Sequence, residues 1–382
     1  MNVTRPLRNV ARHASVLVDA SRGGNLRVLR TLAGPAVRGF VLERGKSGRE
    51  TRMAAQGDAC FTWDYQRDHP ALAKLYRAAR RNQWDADEDL DWSQHVDPVD
   101  PKRPLYKGED TPLVEMPGWH EIDAQGQANQ LRDLLAWMLS QFLHGEQGAL
   151  FVACQLVEAV GWTDAKLYGA TQVMDEGRHV EVFNRYLTTK LQKRYVIDDN
   201  LYVVLDALMS DRRWDLKFLG MQILVEGLAL GAFATLRHTA HDPLMKELLR
   251  LVIMDESRHV HFGVVALEEQ CRKGLTESER REREDWAFEM CLLLRNRFLA
   301  HEFYDEHWAH RMSRRQWDKR MLESAYMRRF RTSVFRRIVP NLRRIGLMTN
   351  RVRPHYEAIG LLQWEHAKAA PDLSAEELLA EA

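Results

Sequence analysis

Apolar positions recur with helical periodicity over most of the chain after residue 128, and prolines are rare there. This pattern predicts four long amphipathic or buried helices, at about 128–160, 163–191, 214–240 and 243–272. Thr163 or Asp164 is expected to cap the second helix, and Asp242 the fourth, with Pro243 in its first turn. No strand-like alternation appears, so the sequence predicts an all-α fold.

Shorter helices are predicted at about 72–81, 199–209 and 276–300. We divide the chain into an N-terminal extension (1–125), a four-helix core (126–275) and a C-terminal helical extension (276–382). The acidic stretch from Trp84 to Trp92 is interpreted as a cap over the core. The tail after Leu373 is expected to be a loosely attached helix or disordered.

One heptapeptide occurs twice in the predicted core. Residues 174–180 read Met-Asp-Glu-Gly-Arg-His-Val, and residues 254–260 match them at six of seven positions. Each copy contains Glu-x-x-His, which puts a carboxylate and an imidazole on one helix face. A solitary glutamate precedes each copy by 30 residues, so the unit is a repeated helical hairpin. The side chains concerned are Glu146, Glu176, His179, Glu226, Glu256 and His259.

The two solitary glutamates lie in otherwise uncharged helices. Glu146 is the only formal charge in 134–157, and Glu226 is the only one in 218–236. Such carboxylates should be buried, and burial without a partner is costly. Four glutamates and two histidines carry a formal charge of −4, which matches two divalent metal ions, and oxygen-rich ligand sets favour iron or manganese. The alternative is a hairpin pair held by buried ion pairs of the glutamates with Arg178 and Arg258.

This arrangement resembles the ferritin-like di-iron carboxylate superfamily over about residues 128–272, which includes ribonucleotide reductase small subunits and di-iron oxygenases. The resemblance implies a four-helix bundle, with extra N- and C-terminal helices here, and implies that the six residues bind two metals. It also implies that Asp175 and Asp255 each accept the Nδ1–H of the histidine from the opposite motif. Arg178 and Arg258 would lie beside these aspartates.

Several positions depart from subfamilies of this group. Phe183 stands where radical-forming reductase subunits have tyrosine, Leu230 where multicomponent hydroxylases have threonine, and Val252 where N-oxygenases have an extra histidine. No subfamily therefore fits cleanly. Gln222, Phe183, Leu230 and Gly227 are the candidates to line a pocket beside the metals.

We therefore expect an enzyme, a non-haem di-iron oxygenase or oxidase that uses dioxygen on a small organic substrate. C–H hydroxylation, N-oxygenation and related oxidations all remain open, as does a mixed manganese–iron centre. The alternatives are a radical-generating or accessory subunit of a partner enzyme, and a ferroxidase or metal-handling protein. The long extensions on both sides of the core favour the enzyme.

Charge and composition add expectations about partners. The net charge of +1 gives no sign of nucleic-acid binding. Residues 311–353 carry 13 arginines and one lysine, which form either a solvated helix face or a docking patch for an electron donor such as a ferredoxin or reductase, or for a carrier protein. Four scattered cysteines and no apolar leader fit a cytoplasmic protein. We expect no membrane span, since Glu226 interrupts the apolar run 218–236, and a homodimer is common for this architecture.

Overall fold

The computed structural model describes residues 24–374 apart from 47, 49, 56 and 107–109, together with Asn9, His13 and Glu377. Over these residues the regular secondary structure is helical and no strand forms; one isolated bridge pairs Tyr106 with Ala240. The all-α prediction is confirmed for this part of the chain. The tail expected after Leu373 falls almost entirely outside the described residues.

Fourteen α-helices span the described residues, connected by short π and 3₁₀ segments. They are α1 (Leu26–Ala36), α2 (Pro70–Arg81), α3 (Ala124–Ala159), α4 (Thr163–Tyr186), α5 (Asp199–Ser210), α6 (Trp214–Phe218), α7 (Glu226–Thr239), α8 (Pro243–Glu269), α9 (Glu277–Asn296), α10 (His301–His307), α11 (Arg314–Glu323), α12 (Ala325–Phe335), α13 (Ile338–Arg344) and α14 (Arg353–Ala358). A π segment, Leu219–Val225, joins α6 to α7. The third predicted helix is therefore unbroken along the chain, but its hydrogen-bond pattern changes from α to π and back to α.

The repeat seen in the sequence is also a repeat of helix boundaries. Helix α3 ends at Ala159 and α7 at Thr239, while α4 begins at Thr163 and α8 at Pro243, each pair 80 residues apart. We name α3 with α4 the first hairpin, and α6 to α8 the second hairpin. Both long pairs are packed antiparallel, because a three-residue connection cannot separate them.

The predicted caps are correct for one hairpin only. Asp242 caps α8 and accepts hydrogen bonds from the backbone N–H groups of Leu244 and Met245. Helix α4 instead begins after Trp162, with no side-chain cap, so the capping role expected of Thr163 or Asp164 is wrong. Asp164 is used differently: it accepts from the Arg67 guanidinium and from the backbone N–H of His69, 3.1 Å away. This contact fixes the N-terminal segment to the first hairpin.

The π segment before α7 brings a polar side chain into the interior. Gln222 lies within it and is fully buried. Gly263 of α8 faces this residue so closely that a Cβ atom there would lie 2.4 Å from the Gln222 Cβ. The extra residue of a π turn shifts the helix face, and such turns occur often at functional sites. The local structure therefore places an amide inside the core.

Helices from the C-terminal and the N-terminal parts of the chain pack on the second hairpin. A Cβ atom at Gly231 of α7 would lie 2.6 Å from the Cα of Val334 in α12, so the two backbones are in direct contact. Helix α2 packs on α4 and α8 from the other side. The stretch Trp214–Thr239 contains an 18-residue window with a mean hydropathy of 1.6, which is apolar enough to cross a membrane. In this structure 78% of that window is buried inside the protein.

Candidate metal centre

The structure brings the six predicted side chains into two overlapping groups. Glu146, Glu176, His179 and Glu256 form one group, and Glu176, Glu226, Glu256 and His259 form the other. In each group one ligand atom from every residue lies within 4.8 Å of the others. Glu176 and Glu256 belong to both groups. We call the two sides of the cluster the Glu146 end and the Glu226 end.

The carboxylates of this cluster are buried and poorly hydrogen-bonded. Four oxygens form no hydrogen bond within the described structure: Glu176 Oε2, Glu226 Oε2 and both oxygens of Glu256. Three of them lie 3.2–3.5 Å from a histidine Nδ1, whereas Glu226 Oε2 has no such contact among the described residues. All three residues are at least 97% buried. Each unpartnered carboxylate oxygen in such a place costs about 1–3 kcal/mol or more, which a bound cation would offset. The donor set, carboxylate oxygen with imidazole nitrogen, is that of transition-metal sites.

Both histidines point Nδ1 toward the carboxylates and Nε2 away from them. His179 Nδ1 lies 3.2 Å from Glu146 Oε2, and its Nε2 lies 3.2 Å from Asp255 Oδ2. His259 Nε2 lies 3.3 Å from Asp175 Oδ2. Each aspartate thus faces the histidine of the opposite motif, as predicted, but the ring nitrogen predicted to make the contact is wrong. Nε2, not Nδ1, faces the aspartate, so Nδ1 is available to a metal.

The two motif arginines bind the aspartates rather than the glutamates. Arg178 Nη2 lies 2.7 Å from Asp175 and 2.9 Å from Asp255. Arg258 binds Asp255 and the backbone oxygen of Met254. No ion pair joins either arginine to a glutamate of the cluster within the described residues. The buried glutamate–arginine alternative therefore fails, and the arginines balance the aspartates instead.

The protonation equilibria of the cluster reflect excess negative charge. Burial, followed by the charge of Glu256, raises the pKa values of Glu146 and Glu226 well above their usual range. Burial alone would lower the pKa of His179, but its hydrogen bond to Asp255 and the close carboxylates of Glu146, Glu176 and Glu256 raise it well above the ordinary value. The cluster holds more carboxylates than its two imidazoles can balance, and divalent cations would supply the missing positive charge.

The two ends of the cluster differ in polarity. At the Glu226 end the amide of Gln172 donates to Glu226 Oε1 (2.9 Å) and to Glu176 Oε1 (3.2 Å). Gln222 Nε2 lies 3.4 Å from the amide oxygen of Gln172, and its own oxygen has no partner. Eighty residues away, the repeat has apolar side chains in place of these amides: Val252 for Gln172, and Phe142 for Gln222.

Aromatic rings line the first hairpin beyond the Glu146 end. Phe142, one turn before Glu146, lies 6.0 Å from the ring of Phe183 and 4.7 Å from that of Phe233. Phe183 and Phe233 are stacked 5.7 Å apart. The pocket candidate Phe183 is therefore part of a buried aromatic cluster one turn from Glu146. The guanidinium of Arg297, which is also buried, interacts with the charge of Glu146 at this end.

The other pocket candidates take different positions. Gln222 belongs to the Glu226 end, as described above. Leu230 lines a small cavity between α7, α8 and α12, together with Ile253 and Ser333. Gly227 faces Ile338 of α13, whose Cγ1 would lie 3.7 Å from an added Cβ atom. Gly227 therefore adjoins a helix of the C-terminal extension, and its place beside a pocket stays a prediction.

The sequence predicted no direct part in this centre for three residues, Trp84, Gln83 and Tyr168. Trp84 donates its indole N–H to Asp255 Oδ2 at 2.7 Å, and its ring stacks over His179 with centroids 6.5 Å apart. Gln83 donates to Asp175 Oδ1 at 3.1 Å. Tyr168 is buried, and its hydroxyl has no hydrogen-bond partner among the described residues. The tryptophans flanking the acidic stretch were the available signal, and the cap predicted there does contact the centre through Trp84.

Many arginines of the 311–353 stretch are used within the chain. Arg351 binds Glu284 and Asp285, Arg353 binds Glu365, and Arg344 binds Glu268. Others remain on the surface, among them Arg315, Arg320, Arg328 and Arg329. The basic character of this stretch therefore has an internal structural use that the sequence alone did not show.

Comparison with known proteins finds no matching family model, no matching curated protein and no matching solved structure. The assignment of this chain consequently depends on its own residues and their geometry. Those residues define a helical protein with two buried carboxylate and histidine groups that could hold metal ions.

Proposed function

We propose that this chain is a ferritin-like four-helix-bundle protein that binds two metal ions, preferably iron, and acts as a dioxygen-dependent oxidase or oxygenase on a small organic substrate. The first and second hairpins would form the bundle. The observation that carries the proposal is the set of four buried carboxylate oxygens without hydrogen bonds, between two imidazole Nδ1 atoms. A cation pair accounts for this set, whereas the arginines do not.

The donor set fits two ions. Glu146 with His179 would hold one, Glu226 with His259 would hold the other, and Glu176 and Glu256, which are members of both groups, would contribute donors to both. Bound there, iron would supply the electrons that reduce dioxygen. Imidazole and carboxylate ligands are shared by iron and manganese, so a mixed pair fits the same residues.

The protein's own residues would orient and isolate this centre. Asp255 and Asp175 accept from the outward nitrogens of the histidines and fix the ring orientations. The amide of Gln172 holds Glu176 and Glu226 in place. The rings of Phe142 and its neighbours exclude water at the Glu146 end. An enclosed apolar side of this kind suits the oxidation of an apolar group of a substrate.

The activity can be tested with anaerobically loaded protein. After Fe(II) loading, dioxygen uptake is measured with an electrode, with and without a panel of small amines and aliphatic acids and an external reductant. We expect uptake that requires Glu176 and Glu256, and incorporation of isotopically labelled oxygen into a product. Fe(II) oxidation that continues far beyond the bound metal, with no substrate effect, would indicate a ferroxidase and contradict the proposal.

A second candidate is one-electron exchange with a partner enzyme. The observation that favours it is the hydrogen-bonded chain Trp84–Asp255–His179, which connects an oxidisable indole to a candidate metal ligand. Trp84→Phe keeps an aromatic ring but removes both the N–H donor and the oxidisable indole. For this function we expect unchanged metal content and slower oxidation of the centre by an external electron acceptor; equal rates in both proteins would eliminate it.

An oxygenase also requires an electron donor. The exposed arginines on α11 and α12, such as Arg320 and Arg328, offer positive charge to an acidic ferredoxin or reductase. Charge attraction of this type weakens with added salt. A rate of reduction that falls steeply between low and physiological ionic strength would support docking there.

A further inference from the structure

One buried arginine beside the Glu146 end differs from the other buried arginines in having no bound carboxylate. Arg297 follows α9 directly and is 4% exposed. Its Nε forms no hydrogen bond, and no ion pair joins its guanidinium to a carboxylate within the part of the chain that the structure describes. Arg178, Arg258 and Arg283 are similarly buried, and each forms an ion pair with an aspartate. A buried charge without a partner is costly, and an anionic ligand would remove that cost.

The two carboxylates nearest to Arg297 have other roles. Its guanidinium interacts with the charges of Asp198 and Glu146 from beyond ion-pair distance. Asp198 caps α5 and accepts from two backbone N–H groups there, and Glu146 belongs to the cluster of candidate metal ligands. Burial lowers the pKa of Arg297 to about 10, so the guanidinium stays charged at neutral pH. With cations in the cluster, the charge of Glu146 would be neutralised, and Arg297 would be free to bind another anion.

Open space adjoins the Glu146 end on the side of α3 that faces the protein interior. A Cβ atom built on Gly145 would meet nothing within 4 Å, and this glycine is partly accessible. At about 3.6 residues per turn, Gly145 lies almost opposite the exposed Gln147. Met138 and Leu134, about two and three turns earlier, lie on the same side of the helix as Gly145. That side of α3 therefore leads from the Glu146 end toward the residues described next.

An apolar cavity of about 600 Å³ lies along this side of α3. Leu134 and Met138 contribute to one wall, and Met321 of α11 and Met327 of α12 contribute to another. Phe298 also lines the cavity, and the centre of its ring lies 5.3 Å from the guanidinium carbon of the preceding arginine. A cavity of this size with an apolar lining is typical of small-molecule sites, and methionines adapt to the shape of a ligand.

The end of the cavity that is remote from the cluster carries a negative charge. Asp110 lines it together with Tyr326, and burial and then the charge of Asp110 raise the pKa of that tyrosine. Tyr106 lines the same end, and its hydroxyl donates to the backbone oxygen of Leu131 at 2.6 Å. Leu131 precedes Glu146 by roughly 22 Å of helix, at about 1.5 Å per residue. A ligand with a second carboxylate would meet Asp110 there, so the cavity favours a single acidic group.

We propose that this cavity binds a monocarboxylic acid with an apolar body, and that Arg297 binds its carboxylate past the edge of the Phe298 ring. A planar guanidinium can donate two parallel hydrogen bonds to a carboxylate. The first carbons of such a ligand would lie near Gly145, beside the Glu146 end, and its apolar body would extend toward the start of α3. This inference names a substrate class for the proposed enzyme and rests on the proposed function to that extent. The binding itself requires no oxidation.

The test is calorimetric titration of the full chain under nitrogen, loaded with Fe(II), with octanoate, octanamide and octylamine. The three compounds share an apolar body and differ in the head group. We expect octanoate to bind about 10–100-fold more tightly than the amide or the amine, because its hydrogen bonds are charge-assisted. Arg297→Gln should abolish this preference, and Arg297→Lys, which keeps the charge, should retain part of it. Arg328→Gln, at an exposed arginine of α12, is the matched control and should bind as the wild type does.

A second pair of variants tests whether the apolar body lies in the cavity. Met138→Trp fills part of the cavity, so it should weaken octanoate several-fold and leave the shorter butanoate nearly unchanged. Met174→Trp changes a side chain 62% exposed on α4 and should affect neither acid. Octanoate binding that is insensitive to Met138→Trp would indicate an anion site without an apolar chamber and would overturn the proposal. Circular dichroism verifies that each variant is folded.

Titration of the metal-free chain separates this inference from the proposed function. A preference for octanoate that depends on Arg297 in the metal-free chain would support the inference even if the loaded protein consumed no dioxygen. A preference that requires metal and survives Arg297→Gln would assign the carboxylate to the metal ions, and the proposal would then be wrong. Equal affinities of the wild type for octanoate and octanamide would overturn it without any variant.

Discussion

The two hairpins have the same helix ends and the same clustered side chains, but they differ in the residues that flank the cluster and in what covers their outer faces. Helix ends and the six clustered side chains repeat with the same spacing of 80 residues. Around them, the first hairpin contributes Gln172 where the second has Val252, and Phe142 where the second has Gln222. On the outside, α12 covers the second hairpin, and the first exposes Phe151 and Met174.

This contrast separates two kinds of constraint. Each of the six clustered positions supplies a carboxylate oxygen or an imidazole nitrogen to a group of atoms within 4.8 Å of one another, so a change of residue type there removes a donor atom. The flanking positions only need to fill space or hold a ligand, so they can diverge. We infer that the properties specific to this chain, such as the polar Glu226 end and the apolar Glu146 end, are encoded in those flanking residues.

The largest effect in the comparison is expected at the two aspartates. Asp255 balances both motif arginines and accepts from Trp84, while Asp175 accepts from Gln83 and Arg178. Asp255→Ala removes the nearest carboxylate of the buried Arg258 guanidinium, which keeps only Asp175 at 3.7 Å, so we expect a loss of about 3–5 kcal/mol in the free energy of unfolding. The measurement is urea denaturation of the metal-free protein.

Asp175→Ala is the matched variant for that experiment. It should cost less, because Asp255 remains to bind both arginines. If Asp175→Ala lowers the free energy of unfolding more than Asp255→Ala does, Asp255 is not the main partner of the two arginines, and the prediction is wrong.

An intermediate effect is expected where the second hairpin meets α12. Gly231→Ala would place a Cβ atom 2.6 Å from the Val334 Cα, which the backbone cannot avoid without moving. We expect destabilisation by about 1–3 kcal/mol in denaturant unfolding. Gly227→Ala, with its nearest neighbour at 3.7 Å, is the control and should be neutral or stabilising by up to about 1 kcal/mol. Equal effects would mean that α12 is not tightly packed here.

The last effect, on metal affinity and not on folding, is expected at the flanking amide. Gln172→Leu removes both hydrogen bonds to Glu226 and Glu176. We expect one of the two metals to bind about 10–100-fold more weakly, in competition with a chelator. Val252→Leu changes the corresponding position of the other hairpin and should leave both affinities nearly unchanged. If the two variants have the same metal affinities, the amide of Gln172 does not make the Glu226 end different from the Glu146 end.

Much of the fold could be predicted from the sequence because its signals are local. Periodic apolar positions gave the long helices, and charge-free surroundings marked Glu146 and Glu226 as buried. The Glu-x-x-His spacing then predicted which side chains meet. The orientation of the histidines was not predictable, because it depends on where Asp255 and Asp175 lie after packing.

Other features depend on contacts between distant parts of the chain. Trp84 reaches Asp255 from 171 residues away. No local sequence pattern marks the π segment that holds Gln222. Gln222 packs there only because Gly263 of α8 has no side chain. Nothing local distinguishes Gly231, which α12 covers, from Gly177, which faces open space. Tertiary packing alone decides such positions.

The most direct test of the account is metal content. The full chain is loaded anaerobically with Fe(II), freed of excess metal by gel filtration, and measured by elemental analysis beside the Glu176→Ala/Glu256→Ala variant. We predict about two metal ions per wild-type chain and almost none in the variant, with both proteins folded. A well-folded wild type that retains no metal would contradict the proposed centre and leave the buried carboxylates without an explanation.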